Sequence, residues 1–215
     1  MADEKCEKKS EEKTERKTAR EIIENYDGPK VRIMEVCGTH THEIFRLGIR
    51  KLLPEQVELI SGPGCPVCVT PVSFIDEAIY LALEKGVTIC TFGDLVRVPG
   101  TKMSLAGARE QGADIHVVYS PADAEKYAGE HPDKQVTFLS VGFETTTPAS
   151  CLSVKAAKEN GLDNYSILTA NKTMPQAYEA LKGSADVFLY PGHVNAITGT
   201  RLCEALAEQG VSGVV

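Results

Sequence analysis

A chain of 215 residues can bury a substantial core as one large domain or two small ones, and 42% hydrophobic with 25% charged content is ordinary for a globular protein. Its net charge of −7 argues against a nucleic-acid partner, because phosphate binding calls for a basic surface. No apolar run approaches the roughly 18 residues that span a bilayer, and no signal-peptide core opens the chain, so no membrane is expected and the setting is read as cytoplasmic.

The first 20 residues are almost wholly charged and carry no apolar face, which reads as a flexible tail or a solvated helix, with Cys6 incidental to it. From Val31 one pattern recurs: a short β-branched run, a turn rich in Gly, Pro or Thr, then an amphipathic stretch. The runs VRIMEV, QVELIS, VTICTF, DIHVVYS, QVTFLSV, YSILTA, DVFLYP and VSGVV are the expected strands. Helical patterns alternate with them: EIFRLGIRKLL, VSFIDEAIYLALEKG, SLAGAREQG, PASCLSVKAAKENG, MPQAYEALKG and AITGTRLCEALAEQG. The second of these is delimited by Thr70 as N-cap, Pro71 at the first helical position and Gly86 just past its end.

Apolar strands alternating with helices call for parallel sheets covered on both faces. The expected fold class is therefore α/β: two similar domains, each a mainly parallel sheet flanked by helices, with a cleft between them. Domain I would span residues 21–125 and carry Cys37, Cys65 and Cys68. Domain II would span 126–215, the two joined by the polar connection SPADAEKYAGEHPDK. Because VSGVV reads as a buried strand just beginning, the sequence is expected to be a fragment with domain II incomplete.

Ligands of open parallel sheets sit beyond the carboxyl ends of the strands. The loops there hold the chemistry. Cys37 directly follows the first strand in EVCGTHTHE, and GPGCPVC places Cys65 and Cys68 after the second, so the three thiols can converge. Seven cysteines is an odd number, and with no export signal a disulfide framework is not expected. A C-x-x-C pair can close a small disulfide ring or ligate a metal. Zinc would need two further ligands, and the alternating histidines of THTH do not follow zinc-finger spacing. A redox dithiol, a soft-metal site and a buried or incidental pair stay open. Of the two histidines that open the next helix, His40 is the nearer to Cys37, and at most one of His40 and His42 reaches the crevice.

Other strand-end loops contribute polar groups. FGDLVRVPG carries Asp94 and Arg97, which could form a loop-fixing ion pair. VGFETTTPAS carries Glu144 and Thr145 before a helix capped by Thr147. TANKTMPQA carries Asn171 and Lys172, and YPGHVNAITG carries His193. Cys90, Cys151 and Cys203 sit in apolar patterns and read as small core residues. Neither a Walker A loop nor a G-x-G-x-x-G after a strand nor a G-x-S-x-G elbow is present.

Together, CGTHTHEIFRLGIRKLLP, ISGPGCPVCVTP, TFGDLVRVPG, LSVGFETTTPA and YPGHVNAITG resemble the hydrogenase maturation factor HypD family, over roughly Glu35 to Gly199. The resemblance implies a scaffold on which the Fe(CN)2CO unit of [NiFe]-hydrogenase is assembled, with redox participation and not a simple enzyme. It implies iron bound jointly with a small HypC-type chaperone, and cyanide delivered by HypE with HypF upstream, the hydrogenase large subunit being the eventual recipient. Matched by motif, Cys37 is implied as the iron-ligating thiolate with His40 beside it, Cys65 and Cys68 as the redox dithiol, and Glu144 and His193 as cleft residues. The family also implies a [4Fe-4S] cluster held by a C-terminal group of cysteines; those ligands are absent from this sequence. Two rival readings remain: a thiol–disulfide oxidoreductase without iron, and a structural zinc-binding interaction protein.

Overall fold

The computed structural model describes residues 18–215, so Cys6 and most of the charged tail lie outside the described residues. Helix α1 (Ala19–Glu24) begins at a reciprocal cap in which Thr18 accepts from the Glu21 N–H while the Glu21 carboxylate accepts from the Thr18 N–H. Strands β1 (Val31–Glu35) and β2 (Val57–Ser61) flank α2 (Gly38–Arg46) and a 3₁₀ turn at Ile49–Lys51. Then come α3 (Val72–Lys85), β3 (Thr88–Thr91), a 3₁₀ turn at Gly93–Arg97, α4 (Leu105–Glu110), β4 (Ile115–Val117), α5 (Pro121–Glu130), β5 (Val136–Ser140), α6 (Thr147–Glu159) and β6 (Tyr165–Thr169). The chain closes with α7 (Met174–Ala180), β7 (Val187–Leu189), α8 (Gly192–Thr198), α9 (Arg201–Glu208) and β8 (Ser212–Val214).

The strands make two four-stranded parallel sheets, ordered β2-β1-β7-β8 and β4-β3-β5-β6, each with helices packed on it. The α/β class with two similar units is thus what the chain adopts. Its sheets are not divided at residue 125/126, however. The first sheet takes β1 and β2 from the start and β7 and β8 from the end, while the second is the continuous stretch between. Strand propensity does not encode which sheet a strand joins; that follows from which apolar faces the helices leave to be covered.

In the second sheet Ile89 and Leu139 pack under α3 and α4 with Ile75, Ala78, Leu105 and Ala108, while their neighbours Cys90 and Phe138 face α5. The supposed polar connection is therefore a helix, α5. Ser120 caps it by accepting from the Asp123 N–H, and the residues it buries fully are only Pro121, Ala124 and Ala128, small residues three and four apart that a charged composition hides, with Tyr127 packed partly buried beside them. In the first sheet Met34, Phe188 and Tyr190 pack with Tyr178 of α7, Val194 of α8 and Leu206 of α9.

Several boundaries move for local reasons. The run starting at Ala196 is part of two helices, because Gly199 stands at φ +77 between α8 and α9. Pro71, not Thr70, is the N-cap of α3, and the Thr70 hydroxyl donates to the Pro66 carbonyl at 2.9 Å. Thr147 does not cap α6 but is its first residue, its hydroxyl donating to the Phe143 carbonyl at 2.8 Å. Gly86 ends α3 as expected, in the left-handed region at φ +65. Cys90 and Cys203 are buried, but Cys151 is exposed, because α6 turns Ser150, Ser153 and Ala157 inward instead.

Candidate functional site

Both sheets have a point where the strand order reverses. In the first it lies between β1 and β7, in the second between β3 and β5. Such switch points open a crevice beyond the strand ends. In the first sheet Glu35 pairs with both Ser61 and Leu189, so β1, β2 and β7 end level and their three following loops emerge side by side. Those loops carry Cys37, Cys65 with Cys68, and His193.

Cys37 is extended, at φ −152 and ψ 128, and occupies the N-cap position of α2 without forming a side-chain cap bond. It is 5% exposed, and its Sγ lies 3.8 Å from Nδ1 of His193 in the first turn of α8. The two residues are 156 positions apart in the chain, and the switch point alone brings them together. His40 is half-buried, and its Nδ1 is buried with no hydrogen-bond partner among the described residues. His42 points outward and pairs with Glu43 at 3.2 Å.

The GPGCPVC loop packs directly on the Cys37 backbone. The Gly38 N–H donates to the Gly64 carbonyl at 3.3 Å. A Cβ on Gly64 would stand 2.5 Å from the Gly38 nitrogen and 2.6 Å from the Cys37 carbonyl carbon, and one on Gly62 would stand 2.8 Å from the side chains of Met34 and Val36. These glycines let one backbone touch another. Beyond them the Cys68 N–H donates to the Cys65 carbonyl at 3.1 Å, closing a tight turn. Cys65 is partly buried and Cys68 exposed, and the neighbouring Cys65 thiol, then burial, push the Cys68 thiol up. This loop is also where the chain leaves the first sheet for the second. Beside it an open groove of about 530 Å³ is lined by Thr41, His42, Phe45, Gly62 and Cys65, with Phe45 86% exposed.

The second sheet contributes Glu144. Its Oε1 accepts from the Met174 N–H at 2.7 Å, tying the loop after β5 to the head of α7, and its Oε2 is buried with no partner among the described residues. Phe143 beside it packs into the core of the first sheet. Tyr178, one turn along α7, has a buried hydroxyl with no partner among the described residues; burial raises its pKa, and so do Cys203, Glu144, Tyr190 and Cys37. Asn171 donates to the Ser140 hydroxyl at 3.0 Å, Thr145 and Lys172 are exposed, and Asp94 and Arg97 form no ion pair with each other among the described residues.

Two polar residues at this site lie outside the readings drawn from the sequence. Glu35 ends β1 fully buried, and both its carboxylate oxygens accept from the Thr41 hydroxyl, at 2.8 and 2.9 Å. A Glu ending an apolar strand was the available sign. Tyr178 had none, being one aromatic in an amphipathic helix. Among the described residues no three His, Cys, Asp or Glu side chains converge as a ready-made metal site.

The geometry defines a class: a two-sheet α/β protein with thiols, an imidazole and a carboxylate gathered at the switch points. The HypD family model, described as "Hydrogenase formation hypA family", matches residues 13–215. Hydrogenase maturation factor HypD of Cupriavidus necator is 45% identical over 193 residues, which is 85% of this chain and 51% of the relative. The factor of the same name from Rhodobacter capsulatus is 46% identical over 83% of this chain and 48% of its own, and that from Escherichia coli 47% over 79% and 47%. The chain belongs to the HypD family. It spans about half the length of the curated relatives it matches.

Proposed function

We propose that this chain carries the iron-handling site of a hydrogenase maturation scaffold. Iron is its cargo, held at Cys37 while cyanide and carbonyl ligands are added to make the Fe(CN)2CO unit. The observation that carries this reading is the pairing of the Cys37 sulfur with the His193 imidazole at 3.8 Å, against the loop that bears Cys65 and Cys68. A thiolate with a neighbouring imidazole suits a borderline metal such as iron.

The local donor set is short of a full coordination sphere, and that favours the reading. Cys37, with His40 or His193, leaves positions for incoming ligands and for a donor from a second protein. A HypC-type chaperone fits that part, and the apolar groove at Phe45 offers it a surface beside the thiols. HypE is the proposed source of cyanide, supplied by HypF, and the hydrogenase large subunit the recipient. Cys65 and Cys68 are adjacent thiols whose oxidation to a disulfide releases two electrons and two protons for the reductive steps. Glu144 closes the crevice from the second sheet, with a free carboxylate oxygen to accept a proton or a hydrogen bond. The family's [4Fe-4S] cluster is assigned to no residue of this chain.

The closeness of the two thiols, in a turn closed by the Cys68 N–H on the Cys65 carbonyl, also suits the second reading, a thiol–disulfide oxidoreductase using Cys65 and Cys68 without iron. One experiment separates the two. The intact protein is purified without air together with its small chaperone, and its infrared spectrum is recorded. Cyanide and carbonyl stretches are expected in the wild type and absent from a folded Cys37→Ala variant. If Cys37→Ala keeps both iron and the bands, Cys37 is not the ligand; a blank wild-type spectrum favours the dithiol alone.

A further inference from the structure

Glu35 poses a question that the proposed reaction does not answer. It is 0% exposed, yet among the described residues its carboxylate has a single side-chain hydrogen-bond donor, the neutral hydroxyl of Thr41. Burying a carboxylate costs far more than one neutral donor returns, so such a group needs a reason of position or function.

Position supplies it. Glu35 is the last residue of β1 and Thr41 lies in the first turns of α2, so the bond spans the segment containing Cys37. Thr41 also bonds back to that segment: its N–H donates to the Cys37 carbonyl at 3.1 Å, and its hydroxyl lies 3.3 Å from the same oxygen. Cys37 makes no cap bond of its own that would fix its side chain. On the far side, the carbonyl of Glu35 accepts from the Gly62 N–H at 2.7 Å, which anchors the strand end to the loop leading to Cys65. Glu35 is therefore held on its main chain by one thiol loop and through its side chain by the other.

We infer that Glu35 and Thr41 are positioning residues, a clamp that holds Cys37 at the switch point facing His193. The inference rests on the reading of Cys37 as the working thiol. It adds that the thiol's placement depends on a carboxylate–hydroxyl bond behind it.

The test is run on intact protein freed of metal, following alkylation of each cysteine by iodoacetamide with mass spectrometry. Thr41→Val alone would leave the carboxylate bare and could unfold the protein. The informative variant is Glu35→Met with Thr41→Val, which replaces both partners by apolar groups of similar shape at little cost to stability. Its Cys37 is expected to react severalfold and up to about tenfold faster than in the wild type, the factor that one hydrogen bond carries in a local opening equilibrium. Cys90, buried in the second sheet, serves as the reference and keeps its rate. Thr41→Ser, which keeps the hydroxyl, is expected to react as the wild type does. An unchanged Cys37 rate in the double variant overturns the clamp, as does an equal acceleration at Cys90 or a Thr41→Ser variant as fast as the double one. Since no metal is present, a blank infrared spectrum in the wild type would defeat the iron reading and leave this result standing.

Discussion

Cys68 lies at the surface, yet the neighbouring Cys65 thiol, and then burial, push its thiol above the ordinary range. Exposure and reactivity are therefore separate at this pair, because the nucleophile is the thiolate. In a Cys65→Ala variant the Cys68 alkylation profile is expected to move to lower pH, with faster reaction near neutrality; a profile that stays in place would show that Cys65 does not act on the Cys68 thiol. Cys90 differs. Burial, and then the charge of Asp114, push it up to about 12, so it should react only when the second sheet opens. Residues of this kind were partly legible in the sequence. Cys37 and His193 could be placed at strand ends because a β-branched run stops at each, but nothing local says that β1 and β7 are neighbours. Cys151 was misread as core because one apolar stretch does not reveal which face of α6 turns inward.

Elements meet at this site through glycine. The carbonyl of Gly64 takes the first free N–H of α2, and its missing side chain lets the dithiol loop lie against the Cys37 backbone. Gly64→Ala would put a methyl 2.5 Å from the Gly38 nitrogen, where the obstacle is main chain and cannot rotate away. Overpacking of this sort costs about 1–3 kcal/mol, or roughly 2–4 °C in Tm per kcal/mol for a chain of this size. The expected outcome is a Tm lower by several degrees and, at the iron site proposed above, a loss of iron retention. A variant that melts like the wild type and still retains iron would show that the contact is dispensable. The strands were legible because Val, Ile and Thr cluster between turn residues. Helix α5 was not, because a helix that fully buries only alanine and proline lacks the large apolar stripe that marks the others.

At the scale of the whole molecule, the chain enters the first sheet, crosses to the second and returns. The outward crossing is the loop with Cys65 and Cys68, and the return is the segment after β6, whose Met174 N–H is held by Glu144. All the extensive element-to-element packing falls within one sheet unit or the other. The second unit is continuous in sequence and has a core on both faces of its sheet, Ile75, Ile89 and Leu139 on one side and Cys90, Val136 and Phe138 on the other. A fragment of residues 66–172 is accordingly expected to fold alone, with a cooperative melt and a stability of about 5 kcal/mol, the lower end of the range for natural domains. A fragment with no cooperative transition would show that the units depend on each other. The same fragment carries its own pH marker. Burial alone would raise the Asp114 pKa, but hydrogen bonds from Lys134, Thr88 and His116 outweigh it and bring the group from 3.8 down to about 2. A depressed folded-state pKa means that the ion pair's contribution is complete above the unfolded value, fades as pH falls from about 4, and is gone below about 2. The Tm gap between the fragment and its Asp114→Asn variant should therefore be constant above about pH 5 and close on acidification. Because Asp114 is two-fifths exposed, solvent screening keeps that gap small and salt narrows it further. A gap that persisted at pH 2 would mean that the amide disturbs the packing of β4 instead of removing a charge.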